Sequence, residues 1–282
     1  MMTTWLDDLN GQTVVVKFGG NAMVDEALTE SFCADIVALR HAGVRVVVAH
    51  GGGPQISSEL VSRGIHSEFR GGLRVTTSEA IDVVDDVLAQ IGSELTSLLH
   101  SAGGAPVALA GDDHGLFSAR RATTFVDGAR VDLGLVGEIT SVATAHVEAA
   151  LETGSIPVVS AISRDVDTGE LLNVNADSAA GALAAALDAQ WLLLLTDVAG
   201  LYGDWPDRQS LIRTVTTDEL TALMPKLESG MIPKVAAARS AILGGVDRVA
   251  IIDGRTPHVL ISEPFGSSGT VVTAPLERTH DE

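Results

Sequence analysis

The chain has 282 residues, 46% hydrophobic and 20% charged, enough for one large domain or two smaller ones around a sizeable core. Against 37 acidic residues stand 18 basic ones, a formal charge of -19, which argues against nucleic acid or an anionic membrane as partner because both demand a positive surface. A single cysteine, Cys33, excludes an internal disulfide and a multi-cysteine zinc site, and reads as a small buried hydrophobe.

The opening MMTTWLDDLN has no basic region followed by an apolar core, and no apolar run approaches the about 18 residues of a membrane span, so a cytoplasmic location is expected. The first predicted strand is TVVVKF (13–18), apolar on successive positions as in strands buried on both faces. Lys17 breaks that pattern. The chain holds only Lys17, Lys226 and Lys234 against fifteen arginines, so a lysine inside an apolar strand is expected to meet an anion or an acid. Gly19 and Gly20 follow it and bare their backbone N–H groups. A helix is expected over DEALTESFCADIVALRHAG, closed by a glycine suited to a C-cap.

The strand VRVVVA (44–49) runs into His50, Gly51, Gly52 and Gly53. Consecutive glycines between strand and helix fit either a tight turn with free dihedrals or an anion held close to bare amides. In GGLRVTT, Arg74 lies between glycines and a helix cap, where its guanidinium fork suits a carboxylate, a surface ion pair being the plain alternative. A long helix opens at Thr77 or Ser78.

Further strands are expected at 106–110, 156–162, 191–196 and 248–253. The stretches 129–142 and 162–177 read as hairpins inserted into the sheet, and the DVDTG turn in the second lacks the remaining ligands of a calcium loop. NVNAD sets Asn173, Asn175 and Asp177 at the start of a small-residue helix (177–188), more polar groups than capping needs. In SGMIPKV, Gly230 precedes a helix with Lys234 in its first turn, a place the helix dipole disfavours unless an anion shares that N-terminus. Strands alternating with helices predict an α/β fold with a mainly parallel sheet, and a boundary near 188 divides it into lobes 1–188 and 189–282. The Walker loop, the dinucleotide glycine fingerprint, the serine nucleophile elbow and the HExxH zinc motif are all missing.

The ordered set VVVKFGGNAM, VVVAHGGGPQIS, GGLRVTT, GLVGEI, NVNADSAA, LLLLTDVAGLY, GMIPKV and IIDGR resembles the amino acid kinase family over nearly the whole chain. The resemblance implies a three-layer αβα sandwich, with an N-terminal lobe that holds an acylated amino acid and dimerises and a C-terminal lobe that holds ATP. The pattern is similar to the branch acting on N-acetyl-L-glutamate, so the implied reaction is phosphorylation of its γ-carboxylate by ATP with Mg2+, in arginine biosynthesis. In that likeness Lys17 and Lys234 clamp the migrating phosphoryl group and Asp177 orients both lysines. Gly19, Gly20, Gly52 and Gly230 serve the phosphates, TDVAGLY (196–202) lines the adenine and ribose pocket with Asp197 as its polar contact, and Gly52, Gly53, Arg74 and Asn173 serve the amino acid, with no protein ligand for the metal. His258 and Glu263 match an L-arginine effector pair, while the short segment before the first strand leaves at most a truncated form of the helix that joins dimers into hexamers. A homodimer is therefore expected, with a hexamer as the alternative. Two other readings stay open: a kinase for N-acetyl-aminoadipate, and a catalytically silent regulator binding arginine or nucleotide.

Overall fold

The computed structural model describes residues 4–126, 129–228 and 230–275. After a 3-10 turn at Thr4–Leu9 come β1 (Thr13–Phe18), α1 (Glu26–His41), β2 (Arg45–His50) and α2 (Gly53–Ser62). A small hairpin, β3 (Phe69–Arg70) and β4 (Leu73–Arg74), precedes α3 (Ser78–Ser101) and β5 (Pro106–Leu109). The middle of the chain holds β6 (Phe117–Arg121), β7 (Thr124–Val126), β8 (Ala129–Val131), β9 (Val136–Val142) and α4 (Ala145–Glu152). Next are β10 (Ile156–Ser160), β11 (Ile162–Asp165), β12 (Leu171–Val174) and α5 (Ala176–Ala186). The last part is β13 (Trp191–Thr196), β14 (Thr214–Thr216), α6 (Thr217–Leu223), α7 (Ile232–Leu243), β15 (Arg248–Asp253) and β16 (Thr270–Thr273).

Eight strands form one sheet in the order β14-β16-β15-β13-β1-β2-β10-β5. All neighbours run parallel except β15 and β16, so the two strands at that edge oppose the rest. The six runs expected to be buried strands all lie in this sheet. β1 is buried along its whole length, because successive side chains enter opposite layers. Val14 and Val16 join Ile36 of α1 and Leu99 of α3 on one face, while Val15 joins Leu183 of α5 and Val235 of α7 on the other. The hydrophobic core is thus divided by the sheet's two faces into the layers of an αβα sandwich.

Helix starts follow local chemistry. The Asp25 side chain accepts from Leu28 N to cap α1, and Thr77 accepts from Ala80 N to cap α3. Asn175 caps α5 by accepting from Ser178 N, which leaves the Asp177 carboxylate free for other work. Among the described residues no helix is long and apolar enough to cross a membrane.

The segment 129–142 departs from expectation. Its two strands do not pair with each other: β8 pairs with β7, and β9 pairs with β6 and β12. Alternation along a segment marks a one-sided strand but does not name its partner. The 162–177 hairpin does form, as β11 and β12, and with β6 and β9 it closes a small four-stranded barrel.

Candidate active site

β1 sits where the strand order switches, with β2 on one side and β13 on the other, and open parallel sheets place ligands outside the carboxyl ends at such a point. Lys17 through Gly20 leave β1 there, and His50 through Gly53 leave β2 beside them, with Phe18 and His50 in register. The two glycine-rich connections are therefore neighbours. Together with β4, β12 and the start of α5 they line a cavity of about 210 Å3.

The glycines have distinct reasons. None of Gly51, Gly52 and Gly53 has a positive φ, so left-handed backbone is not what this loop needs; Gly20, at φ 71°, is the one that does. A Cβ on Gly51 would come within 2.9 Å of Ala176 Cβ, and one on Gly52 within 2.6 Å of Ile91 Cδ1. Those two are wedged between α5 and α3. Around Gly20 and Gly53 a Cβ would meet nothing within 4 Å, so their bare backbone opens on space.

At the floor of the cavity the chemistry converges on one carboxylate. Lys17 Nζ lies 3.0 Å from Asp177 Oδ1, and Lys234 Nζ donates to Asp177 Oδ2 at 3.0 Å. Each carboxylate oxygen of Asp177 thus faces one ammonium group. Lys17 and Asp177 are both buried. Burial alone would push the Asp177 carboxyl up, but the two ammonium groups override it and hold it down to about 2. Burial lowers Lys17, with Asp177 opposing and the nearby Lys234 charge adding to the drop. The N-terminus of α5, where Asp177 sits, adds the positive end of a helix dipole.

Arg74 is fixed before any ligand arrives. Its Nη1 donates to Ser67 Oγ at 2.5 Å, and its Nη2 donates to Gly53 O at 2.9 Å and to Ser57 Oγ at 2.7 Å. The guanidinium also lies 4.6 Å over the ring of Phe69, and burial lowers its pKa. Asn173 lines the same cavity and donates from Nδ2 to Thr76 Oγ1 at 3.1 Å.

Gly19, Gly20, Gly52, Gly53, Arg74, Asn173 and Asp177 line this cavity with Lys17, and Lys234 reaches it through Asp177. Asp197 and Gly230 do not line it. Nor do they line a second cavity of about 290 Å3, although their sequence neighbours Val198 and Met231 are among its walls, with Tyr202, Trp205, Lys226 and Leu227. Val198, Gly200, Leu201 and Tyr202 belong to the stretch 196–202 that the family resemblance assigns to the nucleoside, while Trp205, Leu227 and Met231 were not foreseen; Lys226 stood out only as one of three lysines. Met231, three residues before Lys234, connects this cavity to the start of α7. His258 and Glu263 lie elsewhere, in the loop after β15, and His258 Nδ1 is bonded to the buried Asp35 of α1 at 2.7 Å. Among the described residues no group of three or more His, Cys, Asp or Glu could hold a metal, and Asp177, the acid in the first cavity, has both oxygens against ammonium groups.

Bare amides, two lysines and an arginine around one committed carboxylate make a receptor for anions, the setting of a transferase that handles phosphate and carboxylate groups together. The model of the amino acid kinase family matches residues 12–253, and the chain belongs to that family. It is 53% identical over 272 residues to the acetylglutamate kinase of Kineococcus radiotolerans, covering 94% of this chain and 91% of that protein. Among solved structures it resembles N-acetylglutamate synthase from Neisseria gonorrhoeae complexed with coenzyme A and N-acetyl-glutamate, with TM-score 0.81 and 24% identity over 95% of this chain and 61% of that longer one. Carbamate kinase from Giardia lamblia bound to AMP-PNP shares the fold, with TM-score 0.66 and 18% identity over 94% of this chain and 99% of that one.

Proposed function

We propose that this protein transfers the terminal phosphoryl group of ATP to the γ-carboxylate of N-acetyl-L-glutamate, giving ADP and N-acetyl-L-glutamyl 5-phosphate for arginine biosynthesis. The observation that carries the reading is the Asp177 carboxylate bridging Lys17 and Lys234 in a cleft of bare glycine amides. The attacking carboxylate is already ionised at neutral pH, so the chemistry asks for positioning and charge neutralisation, not for a base. Asp177, held near a pKa of about 2 between two cations, is suited to orienting them and unsuited to taking a proton.

In this reading Lys17 faces the phosphoryl group from the acceptor side and Lys234 from the nucleotide side. The amides of Gly19, Gly20 and Gly52 donate to phosphate oxygens, and Gly53 packs against the amino acid. Arg74 meets the α-carboxylate, its guanidinium already oriented by Ser67, Gly53 and Ser57. Asn173 binds beside it. Residues 1–188 supply the amino-acid lobe and 189–282 the nucleotide lobe, with adenosine in the cavity walled by Tyr202 and Met231, next to Asp197 and Gly230. Among the described residues lining the first cavity the one acid, Asp177, is held by two ammonium groups, so the phosphates of ATP and water would carry Mg2+, which supplies charge neutralisation on the nucleotide. The proposed assembly is a homodimer, and L-arginine is the proposed effector at the His258 and Glu263 loop.

Coupled measurement of ADP release tests this directly. N-acetyl-L-glutamate should support turnover with hydroxylamine-trappable acyl phosphate, and N-acetyl-L-aminoadipate should be slower by roughly 10-fold or more, the worth of one methylene. Equal rates on both would remove the assigned substrate, and a rate unchanged by L-arginine would remove the effector.

A further inference from the structure

His50 is the one member of the His50–Gly53 connection that carries a side chain, and it is buried beneath the loop instead of facing the cleft. Its Nδ1 lies 3.3 Å from Gly51 O, and since a carbonyl only accepts, Nδ1 carries the proton. Its Nε2 is then an acceptor, buried and without a donor. That nitrogen faces α3 at Gly92, where an added Cβ would stand only 3.3 Å from it. The imidazole is thus pinned between a helix that makes room for it and a carbonyl at the start of the glycine loop.

We propose that His50 is a positioning residue for phosphoryl transfer: its Nδ1–H holds the Gly51 carbonyl inward, which aims the amides that follow, those of Gly52 and Gly53, into the cleft. The inference rests on the kinase reading above. Its argument is one of cost. A side chain that only filled this space would do so better as leucine, which has no buried nitrogen to leave unsatisfied. The polar atom that is satisfied is the one touching the loop. Two other contacts finish the orientation: Gly51 N donates to Phe18 O at 3.3 Å, and Gly52 packs on Ile91. Because burial lowers the imidazole to about 4, it stays neutral and keeps this one-donor state across the working range of pH.

Three readouts test it. In His50→Leu, kcat should fall on the order of 10²-fold, as expected when oxyanion donors are misaimed, while the melting temperature holds or rises and KM for ATP changes less than about threefold. His50→Asn places an amide N–H where Nδ1 stands and should recover at least about tenfold of that loss, whereas His50→Gln, reaching instead toward Nε2, should not. Long-range 1H–15N correlation on the unmutated protein should show an imidazole protonated at Nδ1 that does not titrate between about pH 5.5 and 9. The proposal is overturned if His50→Leu turns over within about threefold of the parent, if its loss only follows melting temperature, or if the spectrum shows Nε2–H. Should the parent make no acyl phosphate from N-acetyl-L-glutamate, the kinase reading fails. His50 is then judged by whether the Gly52 and Gly53 amide shifts induced by ADP vanish in His50→Leu and persist in His50→Asn.

Discussion

Lys17, Asp177 and Lys234 form a buried triad whose members cannot be removed on equal terms. Lys234→Ala deletes the less buried cation and leaves the Lys17 to Asp177 pair, so kcat should fall roughly 10²- to 10³-fold while melting changes little. Asp177→Asn leaves two ammonium groups facing each other in a dry site, and should cost about 3–5 kcal/mol of stability by denaturant titration. Burial and Lys234 already lower Lys17, and Asp177 is what opposes them, so the same substitution should move the alkaline limb of kcat to lower pH. The acid side has its own signature. With a folded pKa near 2, Asp177 contributes stability that is complete above the ordinary carboxyl value and lost as pH falls towards 2. His50 acts earlier: its folded value of about 4 lies below the unfolded 6.5, so the unfolded chain takes up the proton first and stability drops as pH falls from 6.5 to 4. Across that window the parent should lose about 3 kcal/mol that His50→Asn does not, which paired melts at pH 7 and 4.5 would resolve.

At the level of elements, α1 reaches across to the loop after β15. Asp35 of α1 accepts from His258 Nδ1 at 2.7 Å and from Leu260 N at 3.1 Å, while Ser31 Oγ accepts from His258 N at 2.8 Å. This tie holds His258 at φ 56°, a conformation that side chains other than glycine resist. Asp35→Ala should therefore cost about 2–4 kcal/mol and open residues 254–260 to limited proteolysis, with little change in KM for the amino acid. The elements readable from the chain were those with a single period. TVVVKF and WLLLLT could only be doubly buried strands, and the caps at Asp25 and Thr77 marked their helices. β14 and β16 escaped because three or four residues of mixed threonine and valine have no length of pattern to read. In 129–142 the period was right but the partner lay upstream, in β6 and β7, and register between distant strands is set by packing that a local window does not contain.

For the whole molecule, the arrangement around β1 explains which parts of the site could be foreseen. Scarcity made each lysine conspicuous, and the parallel sheet predicted that the connections bearing Lys17 and Gly52 would meet, whereas Asp177, which follows a barrel strand, was joined to them only by the family resemblance. The walls of the second cavity come from the irregular stretch around Tyr202 and Trp205 and from the turn before α7, where no periodicity marks a position and only Lys226 stands out. Nor did any pattern show that Arg74 would already be tied to Ser57, Ser67 and Gly53, because those contacts fold α2 and the segment at Ser67 onto one guanidinium.

The place of β1 in the sheet has a consequence for how the protein wears out. The strand bearing Lys17 is bonded on both flanks, to β2 and to β13, and covered from above and below. In deuterium exchange the amides of residues 14–17 should be among the slowest, opening only when the entire chain opens, and fast exchange there under native conditions would refute this. A damaged or heated preparation should then contain fewer working molecules, each as competent as before, instead of a full population of sluggish ones.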